Sequence, residues 1–217
     1  MQLHILSESN SILTHFLAQL RDVTVQKDSM RFRKNIHRIG EIMAYELSKA
    51  LEYEAVEIPT PLGTKATQKI KHGVVVTSVL RAGLALHEGF ISFFDDAENG
   101  FISAYRHHPN NDDYFEIITE YKAAPSLKDK TVIIADPMLA TGLSLLAACE
   151  KLLENETPAA VHIAVAIAAP EGIAFLQENL PDNFHLWIAD VDSHLNEKKY
   201  IVPGLGDAGD LAYGVKL

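Results

Sequence analysis

The segment Thr131-Val-Ile-Ile-Ala-Asp-Pro-Met-Leu-Ala-Thr-Gly-Leu-Ser144 restricts the fold more than any other part of the chain. β-Branched residues from Thr131 to Ile134 favour a buried strand, Asp136-Pro137 stops it, and the Ala- and Leu-rich stretch from Leu145 favours a helix. Strand, polar loop and helix in that order predict a phosphate cradle, because the first amides of a helix lack intrahelical partners and lie at the positive end of its dipole. A carboxylate, two hydroxyls and a glycine stand at that point, as Asp136, Thr141, Ser144 and Gly142. An anionic phosphoester is the ligand that fits.

The same order recurs along the chain. Gly73–Leu80 reads as a second buried strand, closed by Arg81-Ala82-Gly83 ahead of a helix over 84–94. Phe101–Tyr105 is a third strand candidate ending at Arg106, Ala160–Ala169 is stopped by Pro170 before a helix over 171–178, and His185–Asp192 is the last clear strand. Alternating strands and helices predict an α/β fold with a parallel sheet, whose ligands bind beyond the carboxyl ends of the strands. Two amphipathic helices precede it. One covers about 11–21 after a capping Asn10 or Ser11; the other starts after Asp28-Ser29 with Phe32, Ile36, Ile39, Met43 and Leu47 in one stripe. Its basic residues Arg31, Arg33, Lys34 and Arg38 read as a solvated face. Two prolines and a glycine make 57–72 a turn-rich connection; 107–113 is a polar turn, and Tyr114–Tyr121 a projecting strand or half of a hairpin.

With 217 residues, 47% of them hydrophobic, the chain fits one large domain. A net charge of −10 argues against a nucleic-acid partner, whose binding relies on clustered Lys and Arg. The lone Cys149 falls in the apolar stretch after the cradle and reads as a core residue of a reduced, cytoplasmic protein. Met1–Glu8 has no basic start and no sustained apolar segment, and the longest apolar run, Ile163–Ala169, is too short to span a bilayer, so a soluble chain without a membrane partner is expected. Adjacent His107 and His108 do not make a metal site, since neighbours on an extended chain face opposite ways. His162 and His185 read as satisfied structural residues.

Four polar clusters are brought together by this topology: Arg81, Arg106, the loop from Asp136 to Ser144, and Tyr200–Asp210. Two familiar nucleotide motifs are excluded. Gly204-Leu-Gly-Asp-Ala-Gly209 satisfies the spacing of a dinucleotide-binding turn, but it follows Val202-Pro203 and leaves no room for the helix and the later acidic residue. The cradle has no Gly-Lys before its hydroxyl residue, so it is not a Walker A loop. The glycines of 204–209 let backbone approach a flat ligand, with Asp207 as the charged group. A planar base beside a sugar phosphate suits these parts: amides at Thr141, Gly142 and Ser144 for a terminal phosphate, Arg81 and Arg106 for a departing pyrophosphate.

Asp136–Ser144 resembles the phosphoribosyl-pyrophosphate (PRPP) loop of phosphoribosyltransferases, and Tyr200–Asp210 resembles the uracil-binding segment of the uracil phosphoribosyltransferase family. Val79–Leu84, Ala104–Arg106, Ala168–Gly172 and Leu195–Lys198 match that family in the same order, so the resemblance covers about 30–217. It implies transfer of a phosphoribosyl group from PRPP to uracil, giving UMP and pyrophosphate in pyrimidine salvage, with Mg2+ held mainly through the diphosphate and no protein metal site. It implies catalytic roles for Arg81, Arg106 and Asp207. Donor binding falls to Asp136, Pro137, Met138, Leu139, Ala140, Thr141, Gly142, Leu143 and Ser144, and uracil binding to Ile201, Gly206, Asp207 and Ala208. The implied architecture is one parallel-sheet domain with helices on both faces: N-terminal helices over about 1–50, a projecting β-arm over about 107–125, and a small C-terminal hood over about 193–217. A homodimer or larger homo-oligomer is implied as well, with GTP as a candidate effector.

The residue chemistry agrees with such a reaction. Displacement at an anomeric carbon depends on positioning and electrostatics, needing neither a Ser-His-Asp nor a Cys-His set, and none is present. Asp136 is followed by Pro137 where many such loops have a second acid, so a metal would take its other ligands from diphosphate and water. Leu143 stands where the family usually has a glycine, and Ser193-His194 and Lys199 also depart from its pattern. Two alternatives stay open at this level: a PRPP-binding regulatory protein without turnover, and a phosphoribosyltransferase for another base.

Overall fold

The computed structural model describes residues 1–107 and 116–216, with the backbone alone over 105–107 and 116–118. In chain order the elements are β1 (Gln2–Ile5), α1 (Ile12–Arg21), α2 (Ser29–Ser48), β2 (Tyr53–Thr60), β3 (Gly63–Ile70), β4 (Val74–Leu80) and α3 (Leu84–Ile91). Next come β5 (Glu98–Ser103), β6 (Tyr105–His107), β7 (Glu116–Ile118), β8 (Lys122–Ala123), β9 (Thr131–Ala135), β10 (Met138–Leu139) and α4 (Leu143–Leu153). The chain closes with β11 (Ala160–Ala168), α5 (Pro170–Asn179), β12 (His185–Val191), β13 (His194–Leu195), β14 (Ile201–Val202) and α6 (Ala208–Tyr213).

Hydrophobic runs became the sheet, in the order β1-β12-β11-β9-β4-β5-β8, with β10 added beside β11. Its strands run parallel except β8, which is antiparallel to β5. β4 and β9 are adjacent, yet their neighbours diverge: the chain proceeds from β4 outward to β5, then returns to β9 and builds β11 and β12 on the other side. That reversal between β4 and β9 is a topological switch point, where the two following loops part and leave a crevice.

Residues alternate between two apolar layers, as strands buried on both faces require. Val74, Val76, Ile133 and Trp187 pack towards α1, α2 and α3, while Val75, Val132, Ile134 and Ile163 pack towards α4 and α5. Ser11 caps α1 by accepting the Leu13 N–H at 3.2 Å, and Asp28 caps α2 by accepting the Arg31 N–H at 3.1 Å. α2 and α3 touch backbone to backbone, since a Cβ on Gly89 would stand 2.8 Å from the Gly40 Cα.

Several expectations are corrected. Residues 57–72 are not a turn-rich connection: β2 and β3 pair in register from Tyr53↔Ile70 to Thr60↔Gly63 as a long exposed hairpin, with Leu62 at its open tip. The basic face of α2 is only partly solvated. Arg33 Nη1 donates to the Ala212 carbonyl at 2.6 Å, and Arg38 lies over the Phe16 ring. Arg106 does not end a sheet strand but lies on β6, which pairs with β7 in a separate ladder; the remainder of the expected polar turn, residues 108–113, and the first two residues of the expected projecting strand, 114–115, lie outside the described residues. β1, an edge strand pairing Gln2–Ile5 with His185–Ile188, was not anticipated.

His162, His185, His4 and Trp187 share one face of the sheet. His4 stacks on Trp187 at 3.8 Å between centroids, and the Trp187 Nε1–H donates to His162 Nδ1 at 3.1 Å. Burial, then the neighbouring His185 and His4, push His162 down to about 3. These are satisfied structural residues, as expected.

Candidate active site

Two loops leave the sheet at the switch point. The first, Arg81–Gly83, turns from β4 into α3, and the Leu80–Arg81 peptide is cis. Gly83 packs so tightly against Ser78 Oγ, the Val79 carbonyl and the Ala135 carbonyl that no side chain fits, which seats this loop directly on the end of β9. Arg81 turns towards the C-terminal segment. Its Nη2 donates to Asp210 Oδ1 and to the Gly214 carbonyl, both at 3.2 Å, while its buried Nε–H has no acceptor among the described residues.

The second loop leaves β9 at Asp136. Rather than rising straight into a helix, it runs on alongside β11 as β10: the Pro137 carbonyl accepts the N–H groups of Ala166 at 3.1 Å and Ile167 at 3.0 Å, and the Leu139 carbonyl accepts the Ala169 N–H at 2.9 Å. Gly142 then starts α4 at φ 84°, a conformation that costs a residue with a Cβ about 1–2 kcal/mol. No side chain among the described residues caps α4, so its first amides remain open to an external anion. Leu143 is the first residue of that helix and is half-buried.

Asp136 is the loop's electrostatic peculiarity. Its Oδ1 accepts the Met138 N–H at 3.2 Å, which favours the ionised form, but burial outweighs this and pushes the carboxyl up to about 7. A buried carboxylate short of partners is a group that a cation or a sugar hydroxyl stabilises on arrival.

The third component is the C-terminal segment. Ile201 and Ala208 are buried, whereas Gly206 and Asp207 are exposed. Asp207 Oδ1 accepts the Asp210 N–H at 2.9 Å and thereby caps α6. A Cβ at Gly209 would lie 3.9 Å from both Ala82 Cβ and Arg81 Nη2, so this segment closes over the first loop. The structure thus brings together Arg81, the Asp136–Ser144 loop and the 207–210 turn. Arg106 is the exception, since only its backbone is described.

Sequence reasoning missed the residues that hold these parts. Glu171 Oε1 accepts the Leu195 N–H at 2.9 Å and ties α5 to β13. Arg21 reaches from α1 to Asp190, Asp192 and the Gly204 carbonyl. A basic residue in the last turn of α1 is ordinary helix chemistry, and no local pattern reveals partners so far along the chain.

A parallel sheet with an anion-binding loop and a covering segment at its switch point defines a nucleotide- or sugar-phosphate-binding α/β enzyme. Comparison makes this particular. A family model described as Uracil phosphoribosyltransferase matches residues 7–215. A uracil phosphoribosyltransferase of Porphyromonas gingivalis is 47% identical over 212 residues, covering 98% of each chain. One from Thermococcus gammatolerans is 40% identical over 213 residues, covering 97% of this chain and 92% of that one. A solved protein structure from Aquifex aeolicus superposes with a TM-score of 0.86 at 33% identity, covering 98% of this chain and 99% of that chain. The chain belongs to the uracil phosphoribosyltransferase family, and its reaction is phosphoribosyl transfer to uracil.

Proposed function

We propose that the crevice between β4 and β9 binds PRPP while the 201–208 segment binds uracil, so that the two meet over Asp136 and UMP and pyrophosphate result. The observation that carries this is the placement of Arg81. Its loop packs through Gly83 on the Ala135 carbonyl at the end of β9, its Nη2 holds Asp210, and its buried Nε–H has no acceptor among the described residues. A diphosphate oxygen would satisfy it.

In this reading the open amides at the start of α4, with Thr141 and Ser144, take the 5′-phosphate, and Asp136 meets the ribose hydroxyls. Arg81, assisted by Arg106, stabilises the charge that collects on pyrophosphate as the bond to the anomeric carbon lengthens. Main-chain groups of Ile201, Gly206 and Ala208 read the edge of the base, and Asp207 orients it towards that carbon. Holding both reactants in line supplies much of the acceleration, since the chemistry asks little covalent help of the protein. Asp136 and the diphosphate offer the oxygen donors that Mg2+ prefers; when bound, the ion would neutralise diphosphate charge.

The exposed hairpin β2–β3 supports a homo-oligomer, because a two-stranded hairpin alone is barely stable in water and gains from a second copy laid against it. GTP remains a candidate effector. No helix among the described residues is long and apolar enough to cross a membrane. A cytoplasmic setting suits the buried Cys149, whose thiol burial pushes up to about 12 and keeps unreactive. The direct test is to incubate the protein with PRPP, Mg2+ and each free base in turn and to measure nucleotide and pyrophosphate. Product with uracil alone is expected; donor binding without product from any base would refute turnover.

A further inference from the structure

The turn that begins the base segment is held by a residue from the opposite end of the chain. Arg21 forks onto Asp192: Nη1 donates to Oδ2 at 2.9 Å, and Nη2 lies 2.8 Å from Oδ1. Nη2 also donates to Asp190 Oδ2 at 2.7 Å, and Nη1 to the Gly204 carbonyl at 3.0 Å. Asp192 in turn accepts the Gly204 N–H at 3.1 Å. Both backbone polar groups of Gly204 therefore end on one ion pair, whose carboxylate side chain is only 4% exposed. Gly204 is itself confined. It is buried at φ 64°, and a Cβ there would run into the Ile201 carbonyl. Gly206 and Asp207 follow within three residues.

We propose that Arg21 is a positioning residue for phosphoribosyl transfer: it fixes the turn at Gly204 so that the main-chain groups of 206–208 meet uracil in one geometry. It touches neither substrate. The inference rests on the reading of 201–208 as the base segment. Recognition by backbone groups cannot be adjusted by a rotamer change, so small displacements of the chain pass directly to the base. A planar guanidinium that grips two carboxylates and a carbonyl constrains its partners in several directions at once, which a point-like ammonium cannot do. Replacement by lysine therefore separates two roles. A residue needed only for its positive charge between Asp190 and Asp192 survives that change, whereas a residue needed for its fork does not.

The test is steady-state kinetics of the full chain with uracil and PRPP for wild type, Arg21→Lys, Asp192→Asn and Asp207→Ala, with thermal melts of each. Arg21→Lys is expected to raise KM for uracil about tenfold and to leave KM for PRPP within about twofold. Asp192→Asn keeps an oxygen for the Gly204 N–H but loses the ion pair, and shifts the uracil constant in the same direction; it carries the test if Arg21→Lys fails to fold. Asp207→Ala reports on the base segment itself. If Asp207→Ala raises the uracil KM while folded Arg21→Lys and Asp192→Asn keep the wild-type value, the positioning role is overturned and the base segment stands. A parallel rise of both KM values in Arg21→Lys also overturns it, since that marks general support of the fold. Unchanged uracil use in Asp207→Ala removes the base segment and the proposal together.

Discussion

Replacing Asp136 by Asn tests whether the loop carboxyl is held in an environment that resists its charge. In the folded protein burial raises this group from 3.8 to about 7. At about 1.4 kcal/mol for each pH unit, that displacement corresponds to about 4 kcal/mol at full effect. The residue keeps part of its surface in water, so about 2–4 kcal/mol is the working range. Well below pH 3.8 the carboxyl is protonated in folded and unfolded chains alike and costs nothing. As pH rises towards 7 the unfolded chain loses the proton while the folded chain keeps it, so wild-type stability falls across that window and levels off above it. Asp136→Asn removes this dependence while keeping an oxygen for the Met138 N–H. Urea unfolding of both proteins at half-unit steps from pH 4 to 8 gives the difference in stability at each pH, from which the histidines, common to both, cancel. The expected difference grows by about 2–4 kcal/mol between pH 4 and 7 in favour of the variant. Parallel curves for the two proteins would refute a buried, charge-averse Asp136.

Asp207→Ala loses the cap of α6, worth about 1 kcal/mol in a melt, and lowers kcat/KM for uracil far more than that, with the fold retained by circular dichroism. Arg81→Lys keeps the charge but loses the Nε donor and the fork, and is expected to lower kcat/KM for PRPP about 10- to 100-fold, measured by pyrophosphate release. His162→Gln leaves an oxygen for the Trp187 Nε1–H and removes a group whose ordinary value of 6.5 is pushed to about 3 by burial. His162 gives stability that is fully present above pH 6.5 and is lost as pH falls from there towards 3, so the variant's stability declines less steeply on acidification. The fluorescence of Trp187, the chain's single tryptophan, reads that transition directly.

The central sheet was legible because its strands are buried on both faces and so read as unbroken apolar runs; Val74–Leu80 and Thr131–Ala135 need no context to be recognised. The cradle was legible for the same reason, since an abrupt Asp136-Pro137 after such a run marks a loop at the sheet's edge. The hairpin β2–β3 was not. Its residues are almost all exposed, so no alternation of burial marks its faces, and Pro59 argues against a ladder only where both strand edges are paired. In a two-stranded hairpin each strand has a free edge that tolerates proline. β1 was hidden by its length of four residues, and Arg21 by the distance to its partners.

Gly40 and Gly89 hold a less obvious consequence. Through their contact, α2 and α3 form a single block. α3 continues directly from the Arg81 loop, and α2 carries Arg33, which grips the end of α6. The Arg81 loop and α6 therefore share one foundation, and part of their mutual alignment rests on a seam between main chains that no side chain can replace. Sequence drift over the exposed surface, the hairpin included, can then proceed without disturbing how the Arg81 loop and α6 are set against each other. Drift at either glycine cannot.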